Sequence, residues 1–284
     1  MIAMQDILKH LQVHIPFDQL LQKHLDKVLR ERINPEIAFN CAILERFTDG
    51  EYAGLARQLC GPDRSITFHG PFMDLRPGAV DPAIRRVTLE RFLRVFEVAG
   101  HFRPRTIVFH PSHDERYYVS SGRQWLQNSI ETWSRLLPLA DRLDTRIALE
   151  NVYEQDPGRI GSLLDALPPD RVGFCFDTGH FNAFAGAPLE AWMERLGHRL
   201  IEIHLHDNRG AQDEHLPVGE GTFPFERLFA LVREKGLRPI LTVEAHTEQN
   251  LSRTLENIGR RGLLEGLQGE ARGRAPIRAV PGRS

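Results

Sequence analysis

The stretch VGFCFDTGH, residues 172–180, runs apolar and then closes on Asp177 and, three positions later, His180. The same kind of ending recurs along the chain: SITFH closes on His69, TIVFH on His110, RIALE on Glu150, LIEIH on His204 and ILTVE on Glu244. Gathering Glu150, Asp177 and Glu244 in one buried place would cost on the order of several kcal/mol in like-charge repulsion and desolvation. A divalent cation removes that cost. Imidazoles mixed with carboxylates suit zinc, with manganese, iron or cobalt as alternatives, and not the all-oxygen shells of calcium or magnesium. The segment DEHLPVGEG adds Asp213 and His215, whose Asp-x-His step can present two donors on one side of an extended backbone, and its glycines permit a tight return. With His180, nine candidate ligands stand at or just after apolar runs, more than one ion needs. Two or three zinc ions are therefore expected.

Such a cluster requires elements that converge. Eight apolar runs rich in β-branched and aromatic residues read as strands: 13–17, 36–40, 65–69, 106–110, 146–150, 172–177, 200–204 and 240–244. Between them lie segments of helical period, among them 17–32, 81–100, 125–143, 189–197 and 225–236. Eight apolar strands alternating with helices predict a single-domain α/β fold, the (β/α)8 TIM barrel, over residues 1–265, with a doubly wound open sheet as the alternative. In that barrel all strand ends of one sense meet at one mouth, where active sites sit. Residues 266–284, rich in Gly, Arg and Pro without period, read as a disordered tail.

Composition narrows the class. The chain has 284 residues, 41% hydrophobic and 26% charged, which is enough for a sizeable core. Its 36 basic and 38 acidic residues leave no basic footprint of the kind that duplex-DNA binders carry. Three separated cysteines fit a reducing compartment, and neither an export signal nor a membrane span is evident, so the cytoplasm is the expected location. An oligomer is compatible with these observations.

Taken in order, FHGPF, VFHPS, ALENV, FDTGH, HLHDN, DEHLPVGEG and TVEAH resemble the xylose isomerase-like barrel superfamily, over residues 13–260. That group includes sugar isomerases and epimerases and the endonuclease-four type of apurinic-site endonuclease. The resemblance implies three metal positions. His69 and His110, with Glu150 bridging, would hold one ion; Glu150, Asp177, His204 and Glu244 a second; His180, Asp213 and His215 a third. The loops that reach DNA in the endonucleases differ here, as in GPFMDL with Phe72 and Asp74, and in HDNRG. DNA is therefore an unlikely substrate.

Two chemistries fit these residues. The leading expectation is a multi-zinc hydrolase of a small phosphodiester or phosphorylated compound, in which clustered ions activate water and bind phosphate oxygens. The alternative is a sugar or sugar-phosphate isomerase or epimerase, with Glu150 and Glu244 exchanging a proton on opposite faces of the substrate. His206 and Asp207 are expected to orient His204 or reach substrate. Arg116 and Arg209, in loops after the fourth and seventh strands, are candidates for a substrate phosphate.

Overall fold

Eight parallel strands close into a ring in the computed structural model, which describes residues 4–61 and 64–267. They are β1 (Gln12–Pro16), β2 (Asn34–Ala38), β3 (Thr67–His69), β4 (Thr106–Phe109), β5 (Arg146–Glu150), β6 (Val172–Asp177), β7 (Leu200–Leu205) and β8 (Ile240–Val243). Each neighbours the next in sequence, and β8 pairs with β1. The eight apolar runs and the strands coincide to within two or three residues, and the (β/α)8 barrel is the fold. A ring of parallel strands buries both strand faces, which is why β3, β4, β6 and β7 are buried throughout.

The helices pack outside the ring and are started by ordinary caps. Asp81 accepts the Ala83 N–H at 2.7 Å to open the helix Pro82–Phe102, and Thr48 with Glu51 forms a capping box ahead of Asp49–Leu59. Phe92 of the long helix packs on Phe109 of β4 and on Trp133, with ring centroids 4.5 and 5.2 Å away. Each such fully buried ring contributes about 2–3 kcal/mol by leaving water. Two expected helices are interrupted. The segment 125–143 breaks into Gly122–Ser134 and Leu137–Leu143, because Pro138 has no N–H with which to continue the first helix. The segment 17–32 contains a π-helical turn, Leu20–His24, which lies beside the barrel mouth.

Register decides what meets inside. The β6–β7 ladder shifts between Phe174 and Cys175, which brings Asp177 level with His204. β1 and β2 pair over five residues and set His14 opposite Glu36. β1 and β8 pair over only two, Gln12 with Thr242 and Val13 with Val243. The expected tail from 266 lies, from 268 onward, outside the described residues. No helix among the described residues is long and apolar enough to cross a membrane.

Candidate metal centre

Glu150, the last residue of β5, is the hub of the mouth. Its Oε2 lies 3.1 Å from His69 Nε2 and 3.2 Å from His110 Nε2; its Oε1 lies 3.1 Å from His180 Nδ1 and 3.6 Å from His204 Nδ1. His204 Nδ1 also faces Glu244 Oε1 at 3.0 Å and Asp177 Oδ2 at 3.8 Å. Asp213 closes the outer side, with Oδ2 3.4 Å from His180 Nε2 and 3.1 Å from His215 Nε2. The nine expected residues thus gather in one cup, although His110 and Glu244 stand one residue beyond the ends of β4 and β8.

The DTGH step has a local cause. Asp177 is the N-cap of the short helix Thr178–Phe184, and its Oδ1 accepts the His180 N–H at 2.6 Å. One cap therefore places both side chains over the cup. Gly179, between them, lies so close to His206 that a Cβ would sit 2.0 Å from its ring, so only glycine fits there.

Several imidazole nitrogens face oxygens that cannot donate to them. His69 Nδ1–H donates to the Gly70 carbonyl at 2.8 Å, which leaves the lone pair of Nε2 pointing at the Glu150 carboxylate. His180 Nδ1–H donates to the Asn151 carbonyl at 3.0 Å, and its Nε2 faces Asp213 Oδ2 at 3.4 Å, a contact that needs a proton or a metal ion between the two. Both ring nitrogens of the fully buried His204, Nδ1 of His206 and of His215, and Oδ1 of Asp213 have no hydrogen-bond partner. Lone pair facing lone pair in a buried place is repulsive unless a cation lies between them. The donor set fits divalent metal ions. Groups close enough to share one include His69, His110 and Glu150, and separately His206, Asp213 and His215.

Charge in the cup is finely opposed. Burial alone would raise the Glu150 carboxyl, but His110 and His204 outweigh it and hold the group well below the usual carboxylate range. Glu244 is held low in the same way by His14 and His204. Asp213 is lowered too: burial opposes this, but the imidazoles of His180 and His215 outweigh it.

Two members of the cup escaped the sequence reading. His14, from the middle of β1, puts Nδ1 2.9 Å from Glu36 Oε1 and 3.2 Å from Glu244 Oε1. Burial works against its charge, yet Glu244 and Glu36 push its pKa up to about 10. Glu36, from β2, turns its other oxygen to His204 Nε2 at 3.4 Å; His204 and His14 overcome its burial and hold it down to about 2. A layer deeper, Glu202 accepts the Thr106 and Thr242 hydroxyls at 2.5 and 2.7 Å, and burial beside Glu36 raises it to about 8.

The four residues expected to orient His204 or to reach substrate are placed as follows. His206 Nε2–H donates to Asp177 Oδ2 at 2.9 Å, and its ring is buried and outside the cavity lining. Asp207 is fully buried and does not line the cavity. It accepts the backbone N–H groups of Asn208 and Phe223 on Oδ1, and of Gly219 and Gly221 on Oδ2, at 2.9–3.1 Å, fixing the loop that carries Asp213 and His215. Arg116 and Arg209 lie outside the cavity lining, exposed and paired with their near neighbours Asp114 and Glu214.

The family model described as the xylose isomerase-like TIM barrel matches residues 36–265. The chain belongs to that family. An uncharacterized protein of Methanocaldococcus jannaschii is 29% identical over 187 residues, which cover 63% of this chain and 64% of that relative. Among solved members with this fold, a D-tagatose 3-epimerase-like protein superposes with a TM-score of 0.75 at 23% identity, covering 90% of this chain and 97% of the other. A Thermus thermophilus protein soaked with ZnCl2 gives 0.71 at 23% identity, covering 89% and 99%. At these identities the likeness is one of fold. In this chain all eight strands, at or just past their ends or from within β1 and β2, deliver a polar group to one buried network, His14 and Glu36 included.

Proposed function

We propose that this chain is a metal-dependent isomerase or epimerase of a sugar-like hydroxy-carbonyl compound. The observation that carries the reading is the approach of two ionised carboxylates, Glu150 from β5 and Glu244 from β8, to the same nitrogen of His204. Glu150, Asp177, His204 and Glu244 would hold a divalent ion. When bound, it polarises a carbonyl and a neighbouring hydroxyl and so acidifies the C–H between them. A carboxylate oxygen of one glutamate takes that proton, and the other glutamate returns a proton to the opposite face. Neighbouring imidazoles hold both glutamates ionised near neutral pH, so either can take the C–H proton; the other first takes up a proton from solvent, returns it to the opposite face, and the first then releases its own to water. His14, protonated beside Glu244, balances its charge and keeps its carboxylate directed at the cup. The name of the D-tagatose 3-epimerase-like neighbour and the zinc soak of the Thermus protein support the same reading.

The test is hydrogen exchange at carbon. In D2O with added Zn2+ or Mn2+, a ketohexose panel should show C–H to C–D exchange by NMR, and Glu150→Gln and Glu244→Gln should each slow it by about 100- to 10,000-fold. Absence of exchange with every sugar and sugar phosphate tried would defeat the reading.

A second reading, hydrolysis of a phosphoester by two or three zinc ions, is supported by the outer trio His206, Asp213 and His215, which proton exchange does not require. Metal content per chain separates the two. One tightly held ion favours isomerisation, and two or three favour hydrolysis.

A further inference from the structure

The cavity above the cup holds about 890 Å³. A monosaccharide displaces roughly six to ten waters of ~30 Å³ each, so it would fill only about a fifth to a third of that space. The rest has a definite chemistry. Loops after β3 and β5 turn Phe72, Met73 and Tyr153 into the cavity, and these large apolar side chains are 42%, 69% and 45% exposed. Phe72 and Tyr153 are held in place. The Phe72 ring lies on His110 with centroids 4.4 Å apart and planes 22° apart, and Tyr153 packs on Phe184 at 5.2 Å. Ser112 Oγ–H ties the first loop down by donating to the Leu75 carbonyl at 2.9 Å. Asp74 and Ser112, which also line the cavity, have left-handed backbones with φ of 62° and 55°, a strain typical of binding sites.

The cations of the facing wall other than Lys23 are largely engaged. Lys27 Nζ is 2.7 Å and His24 Nδ1 is 3.4 Å from the Glu248 carboxylate, and the Arg76 guanidinium lies over the Tyr117 ring at 4.4 Å. The apolar wall is continuous with the polar cup, because Phe72 stacks on one of the cup's own imidazoles. Apolar groups exposed in this way beside a polar floor mark a surface that a ligand covers.

We propose that the substrate is a sugar joined to an apolar group, aromatic for best fit: the sugar sits on the acid and imidazole cup, and its apolar partner lies against Phe72, Met73 and Tyr153. The sugar half rests on the isomerase reading above; the apolar half rests on the wall alone. The test is equilibrium binding, by calorimetry, of the phenyl and methyl glycosides of 3-keto-β-D-glucopyranose, each of which keeps a ketone beside free hydroxyls, to the zinc-loaded full-length protein. The phenyl glycoside should bind at least tenfold more tightly, and in Met73→Ser/Tyr153→Ser the ratio should fall towards one with the thermal melt unchanged. Equal affinities, no binding of the phenyl glycoside at millimolar concentration, or a ratio that survives the double substitution would overturn the proposal. So would a dimer in light scattering that Met73→Glu converts to monomer, since a second copy would then be what covers the wall. A protein that exchanges free ketohexoses but shows no phenyl preference loses only this proposal. One that prefers the phenyl glycoside but exchanges no C–H loses only the isomerase reading.

Discussion

The imidazole of His215 lies flat on that of His206, with ring centroids 3.9 Å apart and planes within 5°. This seats the outer trio beside the Glu150, His204 and Glu244 group, joined to it through Asp177, 2.9 Å from His206 Nε2, and through His215 Nδ1, 3.7 Å from Glu244 Oε2. If the chemistry is proton exchange on carbon, the trio is a support. His215→Asn, which tolerates the left-handed backbone at this position (φ 50°), should leave C–H exchange within about tenfold of the parent. A loss of about a thousandfold or more, measured by NMR, would put the trio in the reaction and favour hydrolysis.

Glu36 is the acidic group beside His204 Nε2, at 3.4 Å, while Nδ1 faces the cup. A carboxylate on the far nitrogen fixes a ligating imidazole and raises its basicity, and removing such a partner typically costs about 10- to 100-fold in metal affinity. Glu36→Ala should weaken Zn2+ binding by about that factor in a competition titration with a chromogenic chelator. Unchanged affinity would show that Glu36 serves only His14.

Asp207→Asn should destabilise the fold. Two of the four backbone N–H groups now accepted by the carboxylate would face an amide NH2 instead, at a cost of roughly 2–4 kcal/mol. Urea unfolding at neutral pH reads this directly. The same variant should lose ordered placement of Asp213 and His215, seen as weaker metal binding at the outer trio.

Burial raises the Glu154 carboxyl from the ordinary 4.5 to about 7; its Oε2 accepts the Val152 N–H at 2.7 Å, and its Oε1 has no partner. The folded state holds this proton more tightly than the unfolded chain does. The contribution is therefore complete below pH about 4.5 and is lost as pH rises through about 7, with a size of roughly 3 kcal/mol. Glu154→Gln, neutral at all pH values, should melt higher than the parent at pH 8 and close to it at pH 5. Equal gains at both pH values would assign the effect to packing.

Strand ends were legible because a parallel barrel is buried on both faces, so a run such as VGFCFD announces itself and its polar terminus stands out. His14 and Glu36 were not, for the same reason reversed. They stand within or at the start of their runs, and only the stagger of strands around a barrel lifts them level with the ends of β7 and β8. The stagger is a property of the closed ring and has no mark in any one strand. The inward alternation of His14 with apolar neighbours in β1 was the available signal. Loop residues were the hardest. Arg116 and Arg209 have the right type for a phosphate, yet each is captured by an acid two or five residues away. Asp207, three residues after His204 of the cup, holds backbone.

The ring joins its first strand to its last through only two residue pairs, and the ion pair of His14 with Glu244 straddles that seam at 3.2 Å. On the proton-exchange proposal, one side chain would thus serve as reactive group and as clasp. Whatever neutralises Glu244, whether imidazolium or metal, also fastens the ends of the cylinder together, so occupancy of the mouth and resistance of the whole barrel to opening are two readings of a single equilibrium.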